Sequence, residues 1–186
     1  NTIGIPFFTL NSVMFDLTDK ATGYTPFFVT IANLDTTGGP LTVTKDNVAL
    51  GLAGIISGSG GVTIDKGGSA QLSATNTYTG PTTIDAGTLV VNGSIASSSL
   101  VTVNLHAMLS GSGNLGRTNI NGGTISPGNS VGTIHINGDY YMGPSSRYYL
   151  EINGDTSDLV KVSGSANIQS SVFEIAHDTN TASAPV

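Results

Sequence analysis

The stretch Gly122-Gly123-Thr124-Ile125-Ser126-Pro127-Gly128-Asn129-Ser130-Val131-Gly132-Thr133-Ile134-His135-Ile136-Asn137-Gly138 places two short segments, each opened by Gly-Thr, on either side of one Pro-Gly-Asn-Ser corner. In Thr133–Ile136 every second residue is apolar, the period of a strand with one buried face. Pro127 fixes its own φ and Gly128 reaches conformations closed to other residues, so the chain turns between the two segments. The same vocabulary recurs upstream. Gly87-Thr88-Leu89-Val90-Val91-Asn92-Gly93 and Gly132-Thr133-Ile134-His135-Ile136-Asn137-Gly138 both read Gly-Thr-[Leu/Ile]-x-[Val/Ile]-Asn-Gly, and Gly123-Thr124-Ile125-Ser126 is a weaker copy. Repeats of this size, each too small to bury its apolar face alone, predict an all-β chain wound as a β-solenoid. Inward Val, Leu and Ile would stack coil on coil, with Gly or Asn at the corners.

Working outward, the region from Ser57 to Gly93 has the same texture, with strands of about four or five residues between Gly or Asn corners. Residues 1–56 are β-rich but aperiodic: Phe7 to Leu17 alternates, Lys20 to Thr25 reads as a polar turn, and Phe27, Val29 and Ile31 resume the alternation. No window carries a helical apolar stripe.

Composition agrees. Charged residues are 10% of the 186, against about a quarter in ordinary domains, and the 25 glycines are nearly double a usual share of roughly 7%. The surface must therefore be built from Thr, Ser and Asn, which can form ladders between neighbouring coils. A net charge of −6 with six basic residues leaves no cationic stripe for a phosphate backbone, which argues against nucleic acid. The lack of cysteine rules out disulfides and thiolate metal sites. No apolar run approaches the ~18 residues of a membrane helix, so this segment is not expected to insert into a membrane. The chain starts at Asn1, and it is expected to be a piece of something longer.

Asn76-Thr77-Tyr78-Thr79-Gly80-Pro81-Thr82-Thr83-Ile84-Asp85-Ala86-Gly87-Thr88-Leu89 resembles the passenger-associated transport repeat of bacterial autotransporters, whose pattern runs Asn-Thr-Tyr-Thr-Gly, a small residue, Thr-Thr, an apolar residue, two turn residues and Gly-Thr-Leu. A second segment resembles the autochaperone or junction region of the same family. It runs through Gly123-Thr124, Pro127-Gly128-Asn129-Ser130, Gly132-Thr133, Tyr140 and Asp158-Leu159. The resemblance implies a right-handed parallel β-helix, exported to the bacterial surface or secreted by the type V route. It further implies variable coils over 1–56, repeat coils over 57–122, an autochaperone-like cap over 123–176 that covers the open end of the sheet, and a linker over 177–186 toward an outer-membrane β-barrel. That barrel would be the partner during secretion, and a host-cell receptor or passengers on other cells would be partners afterwards. The expected output is that of an adhesin or virulence factor, with no cofactor and no enzymatic activity.

Several residues admit other chemical readings. Gly128-Asn129-Ser130-Val131-Gly132 fits the Gly-x-Ser-x-Gly string of a hydrolase nucleophile elbow, but that elbow opens a helix and here a strand pattern follows. The expectation is that the Ser130 hydroxyl caps a corner. His106, His135 and His177 have no metal-ligand spacing and are expected at the surface. Asp155 and Asp158 read as a turn before the strand from Leu159 to Val162 rather than as calcium ligands. Asp139 and Glu151 could form a glycosidase pair if coil stacking joined them, although the sequence does not place them facing each other. The alternative class is a polysaccharide-cleaving β-helix enzyme of the pectinase or tailspike kind, whose site would want a carboxylate cluster with Arg or Lys on one sheet face; only Arg117 and Arg147 are available, and no acidic cluster is evident. The pairs Tyr140-Tyr141 and Tyr148-Tyr149 could offer a carbohydrate platform, although in each pair one ring should turn inward.

Overall fold

In the computed structural model, residues 29–31, 33–44 and 49–177 are described. The strand expected over Phe7 to Leu17, the turn from Lys20 to Thr25 and the linker beyond His177 lie outside them. Strands of two to seven residues follow one another with no helix among the described residues, and they stack as a β-solenoid of about six turns. Partners in register such as Gly68, Gly87 and Ala107 lie about twenty residues apart, so one turn takes that length.

Each full coil presents up to three strands, and these build three parallel sheets. The first sheet runs Val29–Ile31, Ala49–Leu52, Gly68–Leu72, Gly87–Val91, Ala107–Gly111, Thr124–Pro127, Arg147–Asn153 and Val172–His177. The second runs Leu41–Thr44, Val62–Asp65, Thr82–Ile84, Val101–Asn104, Thr118–Asn121, Tyr140–Met142 and Ala166–Ile168. The third is interrupted: Leu34–Asp35 pairs with Ile56–Ser57, and Ser94–Ile95 begins a separate ladder through Asn114–Leu115, Thr133–Ile136 and Leu159–Val162.

The core is a stack of rungs. On the first sheet Ala70, Leu89, Leu109, Ile125 and Tyr148 lie in one register column, and on the second Ile64, Ile84, Val103, Ile120 and Met142 do the same. Apart from half-buried Tyr148 these side chains are buried. Each full burial contributes roughly 1.5–3 kcal/mol relative to exposure. Residues between them point outward, and the second sheet carries the ladder Thr42, Thr63, Thr83, Thr102, Asn119, Tyr141, Asn167. In the last described coil the inward positions Ile168 and Phe173 are 49% and 51% exposed, because no further described coil covers them.

Backbone approach explains the glycine content at the coil entries. Gly87 has φ +116, and a Cβ there would lie 2.8 Å from the Gly68 nitrogen of the preceding coil. Not every corner is glycine or asparagine, however: Lys66 (φ 50) and His106 (φ 67) also take left-handed positions.

The strongest sequence repeat is not a structural one. Gly87–Val91 belongs to the first sheet and Thr133–Ile136 to the third. The positional equivalent of Gly87-Thr88-Leu89 is the weaker copy, since Thr88 and Thr124 both pair with Met108 and Leu89 and Ile125 both pair with Leu109. Inward alternation behind a glycine suits a strand on any face of a solenoid, so the vocabulary marks a strand without marking its sheet.

Candidate functional site

Two polar constellations join coils in place of a regular ladder, and both contain residues singled out from the sequence. The first is built on Asn76, where the third sheet has no strand. Asn76 Oδ1 accepts the Ile56 N–H at 2.9 Å, and its Nδ2 donates to Ser94 O at 3.1 Å and Ala74 O at 3.0 Å. One buried amide side chain thus replaces a peptide group between the coils before and after it. Thr77 and Tyr78 add backbone bonds to Ile56 O at 2.8 and 3.2 Å.

Tyr78 then enters the core fully buried. Its hydroxyl bonds Thr82 Oγ1 at 2.7 Å, Thr82 bonds Ser98 Oγ at 2.9 Å, and Ser98 donates to Gly80 O at 3.0 Å. Burial pushes the Tyr78 phenol above the ordinary tyrosine value of 10.0, with the Thr82 bond opposing. Among the described residues every buried side-chain nitrogen and oxygen has a partner. Gly80 packs on Gly60 and Gly61, while Gly87, Thr88 and Leu89 form the first-sheet strand that follows. The sequence did not reveal Thr82 and Ser98 as partners. The only local signal is a Thr four residues after a buried Tyr.

The second constellation surrounds Asp158, which is 4% exposed. Its Oδ1 accepts the Gly132 N–H at 2.8 Å and its Oδ2 the Glu151 N–H at 2.9 Å. Asp158 N donates to Glu151 O, and Leu159 N to Gly132 O, both at 2.9 Å. Thr133 and Leu159 are register partners on the third sheet. The carboxylate therefore fastens the Pro127-to-Gly132 corner to the strand Arg147–Asn153 of the next coil and to the strand Leu159–Val162 that Asp158 precedes. The contact with Glu151, 7 residues away, closes the antiparallel hairpin between Arg147–Asn153 and Thr156–Ser157 and fits the turn expected before Leu159. The contact with Gly132, 26 residues away, is one that coil stacking creates and local spacing does not show.

Within that corner Gly128 (φ +86) and Gly132 touch backbone to backbone: a Cβ on Gly132 would lie 2.7 Å from Gly128 Cα. Asn129 Nδ2 donates to Asn92 Oδ1 at 3.2 Å. Gly123 stacks on Val103 and Asn104, and Thr124 stands beside Arg147 in register. Ser130 is exposed and leads into the strand Thr133–Ile136, so the Gly-x-Ser-x-Gly string is a loop between sheets without the strand-to-helix elbow. The cap expected of the Ser130 hydroxyl is supplied by Asp158. His135 lies in register between Asn114 and Lys161 on the outer face of the third sheet.

Tyr140 is buried beneath the second sheet, and burial raises its hydroxyl above 10.0, with Tyr148 adding to the effect. Tyr148 packs edge-on against Phe173, with centroids 5.5 Å apart and planes at 87°. Burial first and the Asp158 charge second raise the Tyr148 hydroxyl, against a hydrogen bond with the Val160 backbone. Asp139 precedes the second-sheet strand Tyr140–Met142 whereas Glu151 lies within the first-sheet strand Arg147–Asn153, so stacking does not make them a pair.

No family model matches the chain. It is 37% identical over 98 residues to an extracellular serine protease of Serratia marcescens. The match takes in 52% of this chain and 9% of that protein. Similarity to an extracellular protein, on a scaffold of stacked parallel coils, fits a fragment of an exported passenger domain. It also corrects one expectation. The chain was read as part of a protein without enzymatic activity, whereas the relative is named as a protease, and the comparison points the other way. The match reaches only a small part of the relative, and the expectation rested on local patterns within this segment alone.

Proposed function

We propose that the chain is part of the passenger of a bacterial autotransporter, and that Gly123 to Ala176 is the segment from which the solenoid folds. The Asp158 bracket carries this reading. It joins the Pro127-to-Gly132 corner to the following coil through one carboxylate bond and one backbone bond, and ties Asp158 to Glu151 within that coil through one more of each, so the C-terminal coils are fastened to one another independently of the upstream rungs. In a quasi-one-dimensional array a coil gains little until a neighbour covers its apolar face, so a preformed end lowers the nucleation cost for every coil added to it. The Asn76 and Tyr78 network would then serve as the joint through which addition passes from one coil to the next. The outer-membrane barrel is the partner during export in this account. The outward Thr and Asn ladder of the second sheet suits contact with other cells afterwards.

Deletion of residues 123–168 from the full-length protein tests the folding role. Loss of protease-resistant passenger from the cell surface is expected, and normal resistant display contradicts the proposal.

The protease relative favours a second reading of the whole protein's output, in which the solenoid carries a serine peptidase activity located outside this chain. A fluorophosphonate probe should label the full-length protein, and Ser130→Ala should leave that labelling intact. Labelling lost with Ser130→Ala would place the nucleophile in the corner and overturn this reading.

A further inference from the structure

We propose that the outer face of the second sheet holds a binding site for a neutral pyranose ring of a glycan chain, centred on Tyr141. A shallow open groove of about 430 Å³ is lined there by Arg117, Asn119, Asp139, Tyr141, Ser165 and Asn167, which three successive coils contribute. Asn119, Tyr141 and Asn167 are consecutive rungs of one outward ladder. At strand spacings of about 4.8 Å the two amides flank the phenol across roughly 10 Å.

The ring lies along its own strand. A Cβ added to Gly143, two residues on and on the same face, would stand 3.0 Å from Tyr141 Cε1 and 3.3 Å from its hydroxyl oxygen. Only a residue without a side chain lets the phenol lie down over that position, and a ring laid on the sheet turns its other face outward. An apolar face with a polar tip, set between hydrogen-bonding groups, matches a sugar, which has C–H faces and a hydroxyl rim. Asn76, Asn104 and Asn129 use their amides within the fold, but Asn119 and Asn167 present theirs to the groove. Asp139 Oδ1 is held by the Ser165 N–H at 2.9 Å, which orients the carboxylate and leaves its second oxygen for a sugar hydroxyl.

The charge balance selects the class of glycan. Arg117 and Asp139 contribute opposite charges to the groove, and the chain as a whole carries −6, so a polyanion meets net repulsion and a neutral sugar does not. This site goes beyond the folding role and fails or stands separately from it.

Titration of the 186-residue chain with neutral hexasaccharides of β-linked glucose and of N-acetylglucosamine, alongside an oligogalacturonate, tests the proposal by calorimetry and by chemical shift. Binding of a neutral chain is expected, weakened at least tenfold in Tyr141→Ala and largely kept in Tyr141→Phe. Gly143→Val should weaken it by lifting the ring, and Asn167→Ala, at an exposed position, should weaken it several-fold with the circular dichroism spectrum unchanged. Failure of every neutral chain to bind, binding indifferent to Tyr141→Ala, or preference for the oligogalacturonate would each overturn the proposal.

Discussion

Asp158 Oδ1 accepts the backbone N–H of Gly132 at 2.8 Å across a gap of 26 residues. The bond ties the loop after Pro127 to the last described coil, and the second oxygen holds Glu151 N at 2.9 Å. A buried donor left without its acceptor costs roughly 1–3 kcal/mol. Asp158→Ala strips the acceptor from two partly buried donors, so a loss of at least about 2 kcal/mol is expected in urea unfolding. Asp158→Asn, whose amide turns a donor toward one of the two N–H groups, should recover part of it. A loss under about 0.5 kcal/mol in Asp158→Ala would show that the bracket does not hold the corner.

Asn76 makes a sharper chemical test, because its amide both donates and accepts. Asn76→Asp keeps the acceptor for Ile56 N but faces Ser94 O and Ala74 O with carboxylate oxygen. Both Asn76→Asp and Asn76→Ala should destabilise by roughly 2 kcal/mol or more. Equal stability of Asn76→Asp and wild type would mean that the donor half of the bridge is idle.

Burial differs along one sheet, and substitutions should follow it. Leu89→Ala at a fully buried rung is expected to cost about 2–5 kcal/mol, whereas Phe173→Ala, at a side chain 51% exposed on the end coil, should cost clearly less. Thermal unfolding of both variants gives the comparison, and an equal or larger loss in Phe173→Ala contradicts the dependence on burial.

Alkali should weaken the fold in a predictable window. The hydroxyls of Tyr78 and Tyr140 are both raised above 10.0 by burial, so the unfolded chain ionises first. Stability is then fully present below pH 10 and falls above it, by about 1.4 kcal/mol per pH unit for each tyrosine while the folded form stays neutral. Melting temperatures across that range should be level and then decline, less steeply in Tyr78→Phe. A decline of the same slope in Tyr78→Phe would remove Tyr78 from the account.

Much of this architecture is legible in the residues themselves. Alternation in Val62–Asp65 or Val101–Asn104 gives a strand with one buried face, and Gly87 or Gly128 gives the corner, because both are local properties of the chain. The sheet to which a strand belongs is not local, which is why Gly87–Val91 and Thr133–Ile136 look alike and stand on different faces. The roles of Asn76 and Asp158 are likewise hidden. Asn76 links coils about twenty residues away on either side, and the Gly132 partner of Asp158 becomes a neighbour only after the coils stack. The relative's protease activity could not be read from Ser130, whose surroundings are those of a loop before a strand.

The order in which the coils form tests the account most directly. Paired refolding and unfolding rates should be measured for Asp158→Ala and Ile125→Val in the C-terminal coils and for Leu52→Ala and Ile64→Val upstream, all at positions buried in the fold. The account predicts that the C-terminal variants slow folding by nearly their full loss of stability, with φ-values near 1, while the upstream variants mainly speed unfolding, with φ-values near 0. Upstream φ-values near 1 with C-terminal values near 0 would mean that the solenoid starts from its other end.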